Sequence, residues 1–159
     1  MRHKFLVYIT FGLLFTCLSL QAQHKSKTWK TYHNKDYHFS LLIPPNSSFY
    51  STSHGYIRFQ NYSNRIYIPG LKKGQYYLEI SFERNSTISC KEDIENPKAV
   101  QFSGLKGYIG IPKIMMDAGG YRKMLCLKSP QGQLTISVTE GDKKMPIINK
   151  ILGSFRYKK

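Results

Sequence analysis

The sequence predicts an α+β fold, a single antiparallel β-sheet with a C-terminal amphipathic helix packed on it. Three observations predict this. Residues 75–84 alternate strictly, with Tyr76, Leu78, Ile80 and Phe82 set against Tyr77, Glu79, Ser81 and Glu83. That is the period of a strand with one face in a core and the other in water. Leu134, Ile136 and Val138 alternate in the same way with Thr135, Ser137 and Thr139, behind Ser129-Pro130-Gln131-Gly132, whose residue types suit a tight turn. Helical spacing appears only near the end, where Met145, Ile148, Ile151 and Leu152 share a face.

Taken in order, the expected strands are 29–33 and 37–43, joined by a turn at Asn34-Lys35-Asp36, with Tyr32 and Tyr37 paired across the hairpin. Further strands are expected over 56–62, 65–68, 75–84, 100–103 with 108–111, and 121–128 paired with 134–140. Residues 92–95 read as a short helical turn ended by Asn96-Pro97. The glycines at 104, 107 and 110 fall between strands and lack the spacing of a nucleotide-binding loop. The terminal helix is expected over 143–152, with Asp142 before it, Pro146 in its first turn and Gly153 as its stop, and Phe155 continues its apolar surface.

The first segment reads as an address. Arg2 and Lys4 precede an uncharged stretch from Phe5 to Leu20, and Gln21, Gln23, His24 and Lys25 then turn polar. A membrane-crossing helix needs about 20 apolar residues, so residues 1–22 are expected to be a signal peptide cleaved after Ala22. The alternative is lipid anchoring through Cys17, although Thr16 stands where a small residue is wanted. Residues 23–28 read as a polar tether and 29–159 as one domain, since a chain of 159 residues suits one core better than two. The expected location is secreted or periplasmic, with no transmembrane anchor in the mature chain.

The chain carries 24 Lys and Arg against 9 Asp and Glu, a net charge of +15. Removal of residues 1–22 takes away Arg2 and Lys4 and no acid, so the excess belongs to the exported part. The cations are scattered rather than gathered in one block. A diffuse positive field favours a protein or an anionic envelope polymer as partner, whereas nucleic-acid binding wants charge concentrated beside stacking aromatics. Two cysteines, Cys90 and Cys126, remain after cleavage. A disulfide and a pair of buried thiols are both open readings for them.

Tyr32-His33-Asn34-Lys35-Asp36-Tyr37-His38-Phe39-Ser40-Leu41-Leu42-Ile43-Pro44 resembles the opening of PsbP-like domains, and Ile151-Leu152-Gly153-Ser154-Phe155-Arg156-Tyr157 is similar to their ending. The chain departs from that pattern at His38, where Gly is usual, at Ile43, where an aromatic is usual, and after Pro45, where a Trp is common. The resemblance implies an antiparallel sheet with helices against it and implies no enzyme activity.

No motif carries chemistry. His33 and His38 flank a turn, but two imidazoles without a third ligand make a poor zinc site, and His24 and His54 stand apart. Glu92, Asp93 and Glu95 read as a solvated cluster, and no Gly-x-Ser-x-Gly elbow is present. No metal, cofactor or catalytic residue is therefore expected; an unrecognised hydrolase is the outlying reading. The leading expectation is a non-enzymatic binding or accessory protein that uses Tyr77, Lys72 and Lys73. The alternative is a carrier of a small apolar ligand, in a β-barrel or in a sheet/helix cleft, prompted by 12 Tyr and 9 Phe.

Overall fold

Asn34 starts the fold by turning the chain: its side-chain oxygen accepts the Tyr37 N–H at 2.9 Å. The turn joins β1 (Lys30–Asn34) to β2 (Phe39–Ile43) in antiparallel register. His38 closes the turn at φ 55°, a left-handed conformation that is strained for a side chain with a Cβ. This explains why Gly is usual there in the resembling family. Phe39, Leu41 and Ile43 are all buried, as their alternation requires. The structure is a computed structural model that describes residues 28–52, 55–62, 70–84, 90–113 and 119–158. The expected signal peptide with Cys17 and Ala22, the tether up to residue 27, His24, His54 and the strand expected over 65–68 lie outside the described residues.

The remaining strands are β3 (Ser48–Ser51), β4 (Ile57–Gln60), β5 (Tyr76–Glu83), β6 (Ile94–Phe102), β7 (Leu105–Pro112), β8 (Tyr121–Ser129), β9 (Gly132–Glu140) and β10 (Arg156–Tyr157). They form two sheets where the sequence predicted one. β1, β2 and β10 make a three-stranded sheet, and the other seven run in the order β3-β4-β5-β9-β8-β7-β6, all neighbours antiparallel. The division follows from where β2 finds partners: its edges are taken by β1 and β10, so it cannot join the larger sheet. The two segments that carry the family resemblance thus meet in one small sheet, with Arg156 opposite Ser40 and Tyr157 opposite Phe39. Ser154 reinforces the junction by accepting the Leu42 N–H on its Oγ at 2.8 Å.

The helix α1 (Pro146–Gly153) and the three-stranded sheet cover one face of the seven-stranded sheet. Its start corrects the expected one. Asp142 caps a turn instead, accepting the Lys144 N–H, while Met145 adopts φ 52° and Pro146 opens the helix. Proline suits this place because it has no N–H to satisfy. Ile148, Ile151 and Leu152 are buried against Leu78, Leu125, Leu134, Ile136 and Val138 in one core. Phe155, fully buried, sits between the rings of Phe39 and Phe102 at 6.0 and 6.5 Å. Tyr32 and Tyr37 do not pair as expected. Tyr32 meets Phe39, Phe49 and Phe59, and Tyr37 stacks on Phe82, because the larger sheet supplies bigger apolar surfaces than the hairpin itself does.

β6 corrects a second expectation, since residues 94 and 95 begin a strand and Asn96-Pro97 form a β-bulge inside it. Asn96 takes φ 46°, and β6 is an edge strand, where a proline removes no needed ladder bond. The β6–β7 connection is a two-residue hairpin with positive φ at Ser103 and Gly104, the geometry that matches strand twist. On the outer face of this end, Cys90 and Cys126 are bridged, their Cα atoms 6.2 Å apart. They pack with Ile94 and Met124 in a second small core flanked by Tyr108. Among the described residues, no helix is long and apolar enough to cross a membrane.

Candidate functional site

The strand period puts Tyr77, Glu79 and Arg58 on the outer face of β4 and β5, with Arg58 opposite Glu79 in the register. Sequence reasoning treated that face as wet, and for Tyr77 this needs correction: the residue is 7% exposed. Arg58 covers it, with its guanidinium carbon 5.0 Å from the Tyr77 ring centre and 5.5 Å from that of Tyr56. Hydrogen bonds run in one direction through the cluster. Arg58 Nη2 donates to the Tyr56 hydroxyl at 2.9 Å, the two phenols meet at 3.1 Å, and Tyr77 donates to Glu79 Oε2 at 2.9 Å. Burial first, then the bond to Tyr56 and the charge of Glu79, holds the Tyr77 hydroxyl above the usual phenol range. It therefore stays a donor, and the cluster joins a cation to a carboxylate through two neutral phenols.

Lys72 and Lys73 are exposed on the turn that leads into β5. Lys73 Nζ lies 4.0 Å from Asp142 Oδ2, an exposed pair of little energetic weight. The structure does not place these lysines with Tyr77 in one solvent-facing patch. It ties their turn to a different place, since the Leu71 N–H donates to the Gly119 oxygen at 2.9 Å.

Gly119 borders a groove that sequence reasoning did not assemble. The covering layer of β2, β10 and α1 stops short of one end of β6, β7 and β8, and leaves a trough of about 760 Å³. Its floor and walls include Ile109 and Ile111 from β7, Tyr121 and Lys123 from β8, Lys98 from β6, and Met145 ahead of α1. The register explains the gathering: Ile109 lies opposite both Lys98 and Leu125, and Lys123 opposite Val138. These side chains therefore share the core-facing side. Ile111 is 46% exposed and Tyr121 41%. Met145, expected on the buried stripe of the helix, is half-buried and lines the groove instead. Lys123 Nζ donates to Asn149 Oδ1 at 2.9 Å and so braces β8 against the helix.

Glu140 holds the helix side of this region in place. No side chain caps α1 at Met145, and Glu140 Oε2 accepts the Ile148 N–H from the end of β9. The residue is fully buried and Oε1 has no hydrogen-bond partner among the described residues. Burial raises its carboxyl above the ordinary carboxylate range, against the opposing pull of the Ile148 and Ile147 amides. The folded protein then holds this proton more tightly than the unfolded chain. The resulting stability is complete below the unfolded pKa of about 4 and is lost as pH rises through the folded value. Glu140→Gln is accordingly expected to gain stability relative to the wild type between pH 4 and pH 7. Glu140→Ala, which strands the Ile148 N–H, is expected to lose about 1–3 kcal/mol at both. Urea unfolding of the three proteins at the two pH values checks this, and a Gln variant that loses ground with rising pH refutes it.

The descriptions of known proteins bear on the fold. The solution structure of cyanobacterial PsbP (CyanoP) from Synechocystis sp. PCC 6803 superposes with a TM-score of 0.59 at 9% identity, over 86% of this chain and 96% of that one. The chain has a PsbP-like fold. A crystal structure from Bacteroides thetaiotaomicron VPI-5482 aligns with a TM-score of 0.45 at 13% identity, over 82% of this chain and 48% of that one. No protein-family model matches the sequence, and no curated protein matches it. At 9% identity the PsbP-like likeness concerns the path of the backbone; function has to be argued from the residues of this chain.

Proposed function

We propose that the protein is an exported, non-enzymatic binding protein and that the groove beside α1 is its binding site. One observation carries this reading. Among the described residues four large hydrophobic side chains are exposed, and two of them, Ile111 and Tyr121, stand together in the same concave trough. Concave apolar surface of several hundred Å³ with a few placed polar groups is the usual form of a small-molecule site. The arrangement favours a carrier of a small ligand in a sheet/helix cleft over contact through Tyr77. The basic, uncharged and then polar pattern of residues 1–25 supports export, and so does the bridged Cys90–Cys126 pair. Native mass spectrometry of protein purified from its own source is expected to show a noncovalent adduct. Ile111→Glu is expected to lose that adduct while unfolding at the wild-type denaturant concentration. A bare polypeptide mass from the wild type, together with no uptake of a fluorescent apolar probe, would refute the assignment.

A second reading rests on the other two exposed hydrophobics, Phe49 at 57% and Tyr50 at 58%. They lie on β3, an uncharged strand that among the described residues pairs with β4 alone and forms the edge of its sheet. An edge of this kind accepts an added strand. The lysine turn at Lys72 and Lys73 remains a proposed contact for an anionic partner. Retention of envelope proteins by the wild type but not by Phe49→Ser/Tyr50→Lys would move the function to this edge.

A further inference from the structure

We propose that the occupant of the groove is a single-chain lipid anion, an unbranched acyl tail ending in a carboxylate. This rests on the groove being the binding site and goes on to name the ligand class. The chemistry of the lining decides the class. Ile109, Ile111 and Tyr121 give an apolar floor, while Lys98 and Lys123 stand on the two strands that flank β7. Among the described residues neither ammonium group is in an ion pair, and the partner of Lys123 is the neutral Asn149. Glu95 is the one acid among the described lining residues. Two cations that form no ion pair among the described residues, at the border of an apolar trough, complement a ligand that is apolar along its body and negative at its head.

The β7–β8 ladder ends at Gly110 and Met124, so beside the groove, among the described residues, Ile111 and Pro112 pair with β6 alone, and Tyr121, Arg122 and Lys123 with β9 alone. An extended peptide brings a row of amides, each of which needs a partner once it leaves water. A hydrocarbon tail has no such groups to satisfy. Its head finds Lys98 or Lys123, whose long stems let the ammonium follow the head while the methylenes cover the floor.

The test compares palmitate, hexadecanol and acetate by isothermal titration against the wild type, Lys98→Gln/Lys123→Gln and Ile111→Glu. Glutamine keeps a donor for Asn149 in place of Lys123, and unfolding curves establish that each variant is folded. Palmitate is expected to bind the wild type about tenfold more tightly than hexadecanol, the scale of one charge-assisted hydrogen bond, and acetate to show no measurable binding. The double glutamine variant is expected to lose the preference for palmitate and to keep its affinity for hexadecanol, while Ile111→Glu loses both. Equal binding of palmitate and hexadecanol by the wild type would overturn the lipid-anion assignment and leave the groove as an apolar site. Absence of binding by either would overturn both. Saturable binding of acetate, or of an acidic peptide in place of palmitate, would also overturn the lipid assignment.

Discussion

Replacing Cys90 and Cys126 together with alanine is expected to lower the free energy of unfolding by about 4 kcal/mol. The bridge spans 36 residues, and the loop-closure entropy it removes from the unfolded chain is about 4 kcal/mol for a loop of that length. The magnitude depends on the native state tolerating the crosslink without distortion, and the surroundings support this. Cys126 is fully buried and Cys90 nearly so, and both pack with Ile94 and Met124. Alanine avoids burying a serine hydroxyl among those side chains. Urea unfolding with and without reductant isolates the effect: dithiothreitol should destabilise the wild type to the level of the variant and leave the variant unchanged. An alanine pair within 1 kcal/mol of the oxidised wild type would show that the bridge contributes little.

Phe155→Ala is expected to cost about 3–5 kcal/mol, the range for removing a fully buried phenylalanine from a packed core. The position concentrates several contacts. Its ring touches Phe39 of the small sheet and Phe102 of the large one, and its backbone links α1 to β10. Truncation leaves a cavity where helix and both sheets meet, and it loosens the strand that seals one edge of β2. Phe155→Leu, which keeps most of the volume, should cost less than half as much. Thermal and urea unfolding of the two variants give the comparison. Equal losses for Leu and Ala would mean that ring stacking matters there and that volume does not. The disulfide lies in a separate cluster on the outer face, so combining its removal with Phe155→Leu should give nearly additive losses.

The parts of the fold that were legible in the sequence are those where one strand face meets water. β5 and β9 alternate cleanly because their outer faces are polar, and the turn at Ser129-Pro130-Gln131-Gly132 sets the β8–β9 register, as Ser129 and Gly132 face each other. β3 was missed because four residues with every side chain exposed leave no buried alternation to detect. Pro97 concealed the length of β6, since a proline ends a central strand but is tolerated at an edge bulge. The late helix start came from a local competition, in which Asp142 bonded to its own turn before it could cap α1. Tyr77 misled for another reason: period alone assigns a face, and whether a long side chain such as Arg58 folds over that face is a tertiary matter.

The groove was illegible for the same physical reason. Its lining comes from β6, β7, β8 and the residue before α1, none of which is unusual alone. Lys123 and Tyr121 appear in a strand whose apolar character weakens towards its first residues, Tyr121-Arg122-Lys123 standing ahead of Met124, Leu125, Cys126 and Leu127. That weakening is the one signal available in advance, because it marks where the cover over β8 ends. The two segments that carry the resemblance form the small sheet, which the sequence did not separate from the large one, and they contribute no residue to the groove lining.

The small sheet unites segments that lie far apart along the chain. β2 has β1 beside it as soon as the hairpin forms, but its other edge and its apolar side chains stay unsheltered until 146–157 have been synthesised. Such sequence-distant pairing is slow to nucleate, because the intervening chain must be ordered before it is rewarded. A ribosome-bound chain therefore has no means of closing this body until 146–157 are free to fold back on β2.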